Sequence, residues 1–295
     1  MAGSIILYNR KLSKKRTDLI VEKVREKKDL VNLGEDFIIA HLVKFLEQNT
    51  AVLDYLVEAE IKDIKRSSKF KKIVKHIRGK ARKIYGIFQT TAVSKRKEYL
   101  AKYIKTKKEK DLIRILKTHR STKERILYNK ELYEKIFSLT LKPRSIFDIG
   151  AGLNPLSFRY MGLEKDVRYI ASEFNKKDVD FLNLFFRKTK MKNSNAVRID
   201  LLVNEERERL KSYKTDICFL FKVLDSLEEF QENISYDVIS LIRSKFIVVS
   251  FPLYSITGRR MRLQRRNWFE KLGKRLDFKI DFFKMKNELF YILRK

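Results

Sequence analysis

The segment Ile146-Phe147-Asp148-Ile149-Gly150-Ala151-Gly152-Leu153-Asn154-Pro155 carries the strongest chemical signal in the chain. An apolar run feeds directly into Gly-x-Gly, and Pro155 suits the first turn of a following helix. Glycines at such a place let the backbone come into contact with a ligand at the carboxyl edge of a sheet, where nucleotides bind. Acids fall at matching positions. Asp148 stands beside the glycine loop, where it either meets the ligand or holds the loop in shape. Glu173 ends the next apolar run and can accept hydrogen bonds from both hydroxyls of a ribose. Asp200, with Leu201 beside it, closes the third run and is placed to meet an adenine amino group. The dinucleotide fingerprint lacks its third glycine, because position 155 is proline. The loop therefore points to a nucleoside-type cofactor without a pyrophosphate.

These groups need a sheet to hold them. After Thr140 the sequence alternates short apolar runs with helical stretches, and strands are expected over 145–149, 167–173, 196–200, 216–221, 245–251, 278–284 and 288–293. Helical patterns fill most gaps, among them 176–188 and 227–243. Strands alternating with helices imply a parallel sheet covered on both faces. The last two strands lack a full helix between them and read as an antiparallel hairpin at the edge. The expected fold is α/β, a seven-stranded and mostly parallel Rossmann-like sheet.

The first 120 residues read instead as helices, with Phe70, Ile73, Val74 and Ile77 forming one apolar stripe among lysines and arginines. Their charge is uneven. Residues 61–130 hold 25 Lys and Arg against 5 Asp and Glu, while residues 1–60 are balanced. The whole chain carries a formal net charge of +31. Such an excess fits a polyanionic partner, since phosphate binding is favoured by counterion release. The division read from the sequence is a helical RNA- or ribosome-binding domain over 1–105 and a catalytic domain over 106–295. In the first, Lys69, Lys71, Lys72, Lys75, Arg78 and Lys80 form the candidate RNA face. No apolar run approaches eighteen residues and no signal-peptide pattern is present, so a cytoplasmic location is expected. With one cysteine, Cys218, and only His41, His76 and His119, no metal site is expected.

Missing motifs narrow the reaction. After the fourth strand the chain reads Phe221-Lys222-Val223-Leu224-Asp225, without the Asp/Asn-Pro-Pro-aromatic motif that holds an exocyclic amine for methylation. Carbon methylation of a pyrimidine needs a cysteine nucleophile, and Cys218 lies inside a strand. A ring nitrogen such as guanine N7, with an in-plane lone pair, needs only to be held in line with the methyl donor. Ribose 2′-hydroxyl methylation is the competing reading, in which Lys222 lowers the hydroxyl's pKa.

The run His119-Arg120-Ser121-Thr122-Lys123-Glu124-Arg125 resembles the His-x-Ser-Thr-x-Glu-Arg signature of the aminoglycoside-resistance 16S rRNA (guanine-N7) methyltransferases. Phe147 to Leu156 is similar to that family's glycine loop, Leu220 to Leu224 to its Leu-Leu-Lys-x-Leu segment, and Ser250 to Arg259 to its Ser-Phe-Pro-x-x-Ser-Leu-x-Gly-Arg/Lys motif. Trp268-Phe269-Glu270 and Asn287-Glu288-Leu289 follow in order. The resemblance implies a class I methyltransferase fold and S-adenosyl-L-methionine as cofactor. It implies that Arg125 binds the methionine carboxylate, Gly150 and Gly152 line the methionine side, Glu173 holds the ribose and Asp200 the adenine. Lys222 then sits beside cofactor and target base, and the helical domain docks on the small ribosomal subunit through 16S rRNA.

The chain departs from the pattern both near the target and in the cofactor site, where Glu173 stands in a position that the family more often fills with Asp. The family's short Gly-Met stretch is replaced by Arg259-Arg260-Met261-Arg262-Leu263-Gln264-Arg265-Arg266, and Ala151 stands where the family has Cys. Arg259, Arg260, Arg262 and Tyr254 are further RNA-binding candidates, Tyr254 as an aromatic platform for the base. The protein is expected to act as a monomer on the small subunit, with no membrane and no metal. Competing readings are methylation of another rRNA or tRNA position, a non-catalytic ribosome-assembly factor on the same fold, and a small-molecule methyltransferase.

Overall fold

A computed structural model of the chain describes residues 4–31, 33–254, 260–261 and 264–295, in two compact units that divide between Ser94 and Lys95. The first unit opens with a hairpin, β1 (Ile5–Leu7) against β2 (Arg10–Leu12). Its two turn residues, Tyr8 and Asn9, both hold positive φ, the conformation that matches a two-residue turn to the twist of its strands. This hairpin stands where helices are expected from the sequence, because three-residue strands are too short to show an alternation. Five helices follow: α1 (Lys14–Arg25), α2 (Glu35–Glu47), α3 (Thr50–Glu58), α4 (Ile61–Arg66) and α5 (Ser68–Ile84). Ser67 caps α5 by accepting from the Phe70 amide at 3.1 Å. The expected stripe of α5 is buried at Phe70, Ile73, Val74 and Ile77.

The second unit begins with α6 (Arg96–Thr106), α7 (Glu109–Leu116), α8 (Arg120–Arg125) and α9 (Asn129–Leu139). Leu100 of α6 joins the core around the sheet, so this helix packs with the second unit, although the sequence division at 105 put it in the first. The sheet contains β3 (Ser145–Ile149), β4 (Arg168–Glu173), β5 (Ser194–Arg198), β6 (Lys214–Phe221), β7 (Arg243–Pro252), β8 (Lys279–Met285) and β9 (Glu288–Arg294). Their order is β5-β4-β3-β6-β7-β9-β8, and β9 alone runs antiparallel to its neighbours. All seven expected strands form, and the final pair is the expected hairpin, with β9 inserted beside β7 and β8 left at the edge.

Alternate residues of each strand feed two cores. Ile146, Tyr169, Phe219 and Val248 pack on one face with α9 and α10 (Lys176–Thr189). Phe147, Ile170, Cys218 and Val249 pack on the other, beneath α12 (Leu224–Glu228), α13 (Ile234–Leu241) and α14 (Asn267–Arg275); α11 (Asn204–Glu208) follows β5. Burying each large apolar side chain stabilises the unit by about 1.5–3 kcal/mol. The single helix expected over 227–243 is two. Asn233 adopts φ 63°, and the Glu228 carboxylate accepts from the Asn233 and Ser235 amides at 2.9 and 2.8 Å, ending one helix and starting the next. After the glycine loop the chain forms a 3-10 helix (Asn154–Tyr160) in place of the expected α-helix.

Candidate active site

The carboxyl ends of β3, β4 and β6 bring together Gly150, Gly152, Glu173 and Lys222, and α8 delivers Glu124 and Arg125 to the same edge. Gly150 and Gly152 both have positive φ, +61° and +55°. A Cβ at Gly150 would lie 2.7 Å from Val223 Cγ2, and one at Gly152 would lie 2.7 Å from the His119 imidazole. The glycines are thus required by packing as well as by conformation. His119 is buried, and its pKa is lowered well below the usual range by burial and by Arg96, Arg125 and Lys222, so a neutral ring lies against the loop.

Asp148 and Glu173 differ in what they face. Asp148 Oδ2 accepts from Asn154 Nδ2 at 2.9 Å and from the Tyr169 hydroxyl at 2.5 Å, while Tyr133 donates to Asn154 Oδ1 at 2.7 Å. This buried network ties the glycine loop to α9 and β4, so Asp148 holds the loop in shape. Burial pushes its pKa up to about 6, against the lowering effect of Tyr169 and Asn154. Glu173 Oε1 accepts from the Gly152 amide at 2.6 Å. Burial, and then the charge of Asp178, raise Glu173 to about 8.

Asp200 lies two residues past β5, because that strand runs over Ser194–Arg198 and not over 196–200. Its Oδ1 accepts from the Leu202 amide at 3.0 Å, and its own amide donates to Glu206 Oε2 at 2.8 Å. Leu201 is buried in the core on the α12–α14 face.

A polar cluster that the sequence reading did not single out as a unit surrounds Arg125 and Lys222. Arg125 is buried over the Phe221 ring, its Nη2 donating to Ser121 Oγ at 2.6 Å and its Nε to the Ser121 carbonyl at 3.2 Å. Arg125 Nη1 has no acceptor among the described residues and stands 3.9 Å from Glu288 Oε1. Lys222 has φ 60°, rare for a residue with a side chain and common where a site imposes it. Its amide donates to the Ser250 carbonyl at 3.0 Å, and its Nζ meets Glu124 Oε2 at 2.5 Å and Glu288 Oε2 at 3.5 Å. Ser250 Oγ donates to Glu288 Oε1 at 2.6 Å, and Asn287 Nδ2 donates to Glu124 Oε2 at 3.3 Å. Glu288 is fully buried. One signal could have found it: a charged residue opening the otherwise apolar run Leu289 to Leu293.

The residues fit a nucleoside bearing an amino acid. An arginine nitrogen lacking an acceptor suits a carboxylate, a buried glutamate suits ribose hydroxyls, and the two left-handed glycines keep the loop free of side chains.

Among the RNA candidates, Lys69, Lys71, Lys72 and Lys75 are exposed on α5, with Lys69 Nζ 4.5 Å over the Tyr55 ring, and Lys80 is half-buried. Arg78 is committed elsewhere: it donates to the carbonyls of Lys23 and Val24 and pairs with Glu26 at 3.6 Å, bracing the end of α1. Tyr254 is 42% exposed and bridges to the exposed Arg260 just past β7. Trp268 is 38% exposed, edge-on to Phe251. Arg259 and Arg262 lie outside the described residues. Cys218 is buried in β6, as a core residue. No helix among the described residues is long and apolar enough to cross a membrane.

The family described as Ribosomal RNA methyltransferase (FmrO) matches residues 73–292. A 16S rRNA (guanine(1405)-N(7))-methyltransferase of Micromonospora rosea is 31% identical over 185 residues, and one of Micromonospora echinospora is 31% identical over 187. Each match takes in 62% of this chain but 65% and 66% of those relatives, so the chain spans just under two thirds of their length. The crystal structure of 16S rRNA methyltransferase RmtF in complex with S-adenosyl-L-homocysteine superposes with a TM-score of 0.69 over 96% of this chain and 99% of that one; at 20% identity it shows a shared fold.

Proposed function

Because the chain belongs to the ribosomal RNA methyltransferase (FmrO) family, we propose that it transfers a methyl group from S-adenosyl-L-methionine to guanine N7 in 16S rRNA of the small ribosomal subunit. The observation that carries this reading is the convergence at one sheet edge of Arg125 with a spare nitrogen, the two left-handed glycines, Glu173, and the Lys222–Glu124 pair. When bound, the cofactor supplies an electrophilic methyl group on a sulfonium. Arg125 Nη1 takes its carboxylate, Gly150 and Gly152 line its amino-acid end, Glu173 holds its ribose, and Asp200 with Leu201 borders its adenine. Lys222 faces the target base. Guanine N7 has its lone pair free throughout the neutral range, so these residues need only align and desolvate the base, with no catalytic proton transfer.

Extruding the guanine from its stack costs a few kcal/mol, and stacking on an aromatic side chain returns about 1–3 kcal/mol. Tyr254 is the more exposed of the two aromatic candidates and stands at the same edge, which favours it over Trp268. The exposed lysines of α5 supply sequence-independent affinity for the rRNA backbone, with Arg260 as a second anchor near the target. The site is assembled within one chain, which supports action as a monomer, in the cytoplasm where ribosomes are. No metal enters the scheme.

The test is chemical. Methylation at N7 fixes a positive charge on the base, so borohydride–aniline treatment of rRNA from treated small subunits must cleave the chain at one position. At saturating cofactor the single-turnover rate must stay flat from about pH 6.5 to 9. A log-linear rise with pH that vanishes in Lys222→Ala overturns the reading in favour of ribose 2′-hydroxyl chemistry.

A further inference from the structure

We propose that Glu124 and Lys222 form a donor–acceptor pair that reads the edge of the target guanine next to its N7, Lys222 Nζ donating to O6 and Glu124 Oε1 accepting from N1–H. The proposal rests on the guanine-N7 reading and adds the residue that makes the site select guanine.

The geometry has three parts. First, Glu124 is fixed from behind. Its Oε2 takes Lys222 Nζ at 2.5 Å and Asn287 Nδ2 at 3.3 Å, and Asn287 is itself held by the Tyr128 hydroxyl at 3.2 Å. Its Oε1 has no partner among the described residues, and the side chain is 30% exposed, so one oxygen is anchored and the other is offered outward. Second, Lys222 has three protons to donate and two carboxylates beside it, Glu124 and Glu288, which leaves one proton for a ligand. The left-handed backbone of Lys222 and the hydrogen bond from its amide to the Ser250 carbonyl set where the side chain departs, and Glu124 and Glu288 hold the ammonium. Third, Glu124 is next in sequence to Arg125, the proposed receptor of the cofactor's carboxylate, and Lys222 directly follows β6, which pairs with the strand leading into the glycine loop.

A cation beside a carboxylate presents a donor next to an acceptor. Guanine presents the complement, the acceptor O6 next to the donor N1–H, and O6 is also the neighbour of N7. Adenine presents the reverse order, an amino donor next to the acceptor N1, and would set like against like at both positions. Sites built to hydrogen-bond a substrate reject the mismatched analogue strongly, because their own polar groups are left unpaired.

The experiment uses the full-length protein and small subunits with guanosine, inosine or adenosine at the nucleotide first located by borohydride–aniline cleavage. Wild-type protein should methylate inosine subunits within about threefold of guanosine subunits, since inosine keeps O6 and N1–H, and adenosine subunits at least a hundredfold more slowly. Glu124→Gln should lower kcat/KM on guanosine subunits at least thirtyfold and narrow the guanosine-to-adenosine ratio at least tenfold, with S-adenosylhomocysteine affinity within twofold of wild type. Lys222→Met should narrow the ratio likewise. Glu124→Gln losing activity equally on both bases, or losing cofactor affinity, overturns the proposal, as does wild-type protein that rejects inosine. Should the wild-type product not be N7-methylguanosine at all, the parent reading fails first, and the mapping step reveals it.

Discussion

On the proposed reading, Arg125 is the residue on which cofactor binding turns. It is buried, held by Ser121 from one side and the Phe221 ring from another, and leaves Nη1 for a ligand. A charge-assisted hydrogen bond contributes about 1.5–3 kcal/mol, so Arg125→Ala should weaken S-adenosylhomocysteine binding by about 10- to 100-fold in calorimetry. Unchanged affinity would sink the assignment. Glu173 gives a pH signature at the same scale. Its folded pKa of about 8 lies above the ordinary 4.5, because burial and Asp178 disfavour the charge. The unfolded chain therefore releases this proton earlier than the folded one as pH rises. Stability from this group is full below about pH 4.5, falls through the window to about pH 8, and then levels off. At about 1.4 kcal/mol per pH unit, the wild type should lose on the order of 2 kcal/mol between pH 6 and 8. Glu173→Gln should melt with a flatter pH profile and above the wild type at pH 8.5; parallel profiles would show that the carboxyl ionises normally.

Among the elements, α5 bears the test of substrate docking. Its buried stripe belongs to its own unit, and its outer face carries Lys69, Lys71, Lys72 and Lys75 with no acidic residue in the first turn. Reversing these four to glutamate should cut small-subunit affinity at least tenfold in moderate salt and flatten the salt dependence, by about one power of salt concentration for each phosphate no longer neutralised. Cofactor affinity should not move. Wild-type affinity in the reversed protein would make the face solvent decoration. Arg78 is left out because its bonds to the carbonyls of Lys23 and Val24 brace α1, so its loss would disturb the fold. The sequence marked α5 correctly from its apolar period, but periodicity does not report which cations of a helix are spent on neighbouring carbonyls.

At the level of the molecule, every residue assigned to cofactor or target base belongs to the unit from Lys95 to Lys295. A fragment of residues 95–295 should bind S-adenosylhomocysteine within about threefold of the full chain, yet methylate small subunits far more slowly under subsaturating conditions. Full activity of the fragment would remove the docking role from the first unit. Failure to bind cofactor would show that the two units are not energetically separable. The boundary matters for this design: cutting at 105 would sever α6, whose buried Arg96 pairs with Asp178 at 2.8 Å and whose Leu100 lies in the core of the sheet unit.

The sequence by itself determined the seven strands of the large sheet, the glycine loop, the acids at or just past the strand ends and the family, because each is a local pattern: alternation, a Gly-x-Gly turn, or a contiguous motif; the three-residue strands β1 and β2 were too short to leave one. It also determined the buried state of Cys218 and the exposed state of most α5 lysines, since a strand's or helix's period sorts its faces. Only the tertiary structure decided what the polar groups do to one another. Glu124 and Lys222 are 98 residues apart, Tyr128 and Asn287 are 159 apart, and Asn287 and Glu124 are 163 apart. No local pattern relates such pairs; the two that include Asn287 meet because β9 inserts antiparallel beside β7 and brings Asn287 and Glu288 back to the carboxyl edge, and Glu124 meets Lys222 because α8 lies over the end of β6. The same insertion turns Glu288 from the first residue of an apolar strand into a buried carboxylate between Arg125 and Lys222. In the same way Asp148, legible as an acid beside a glycine loop, became that loop's anchor only when Tyr169 and Asn154 folded over it.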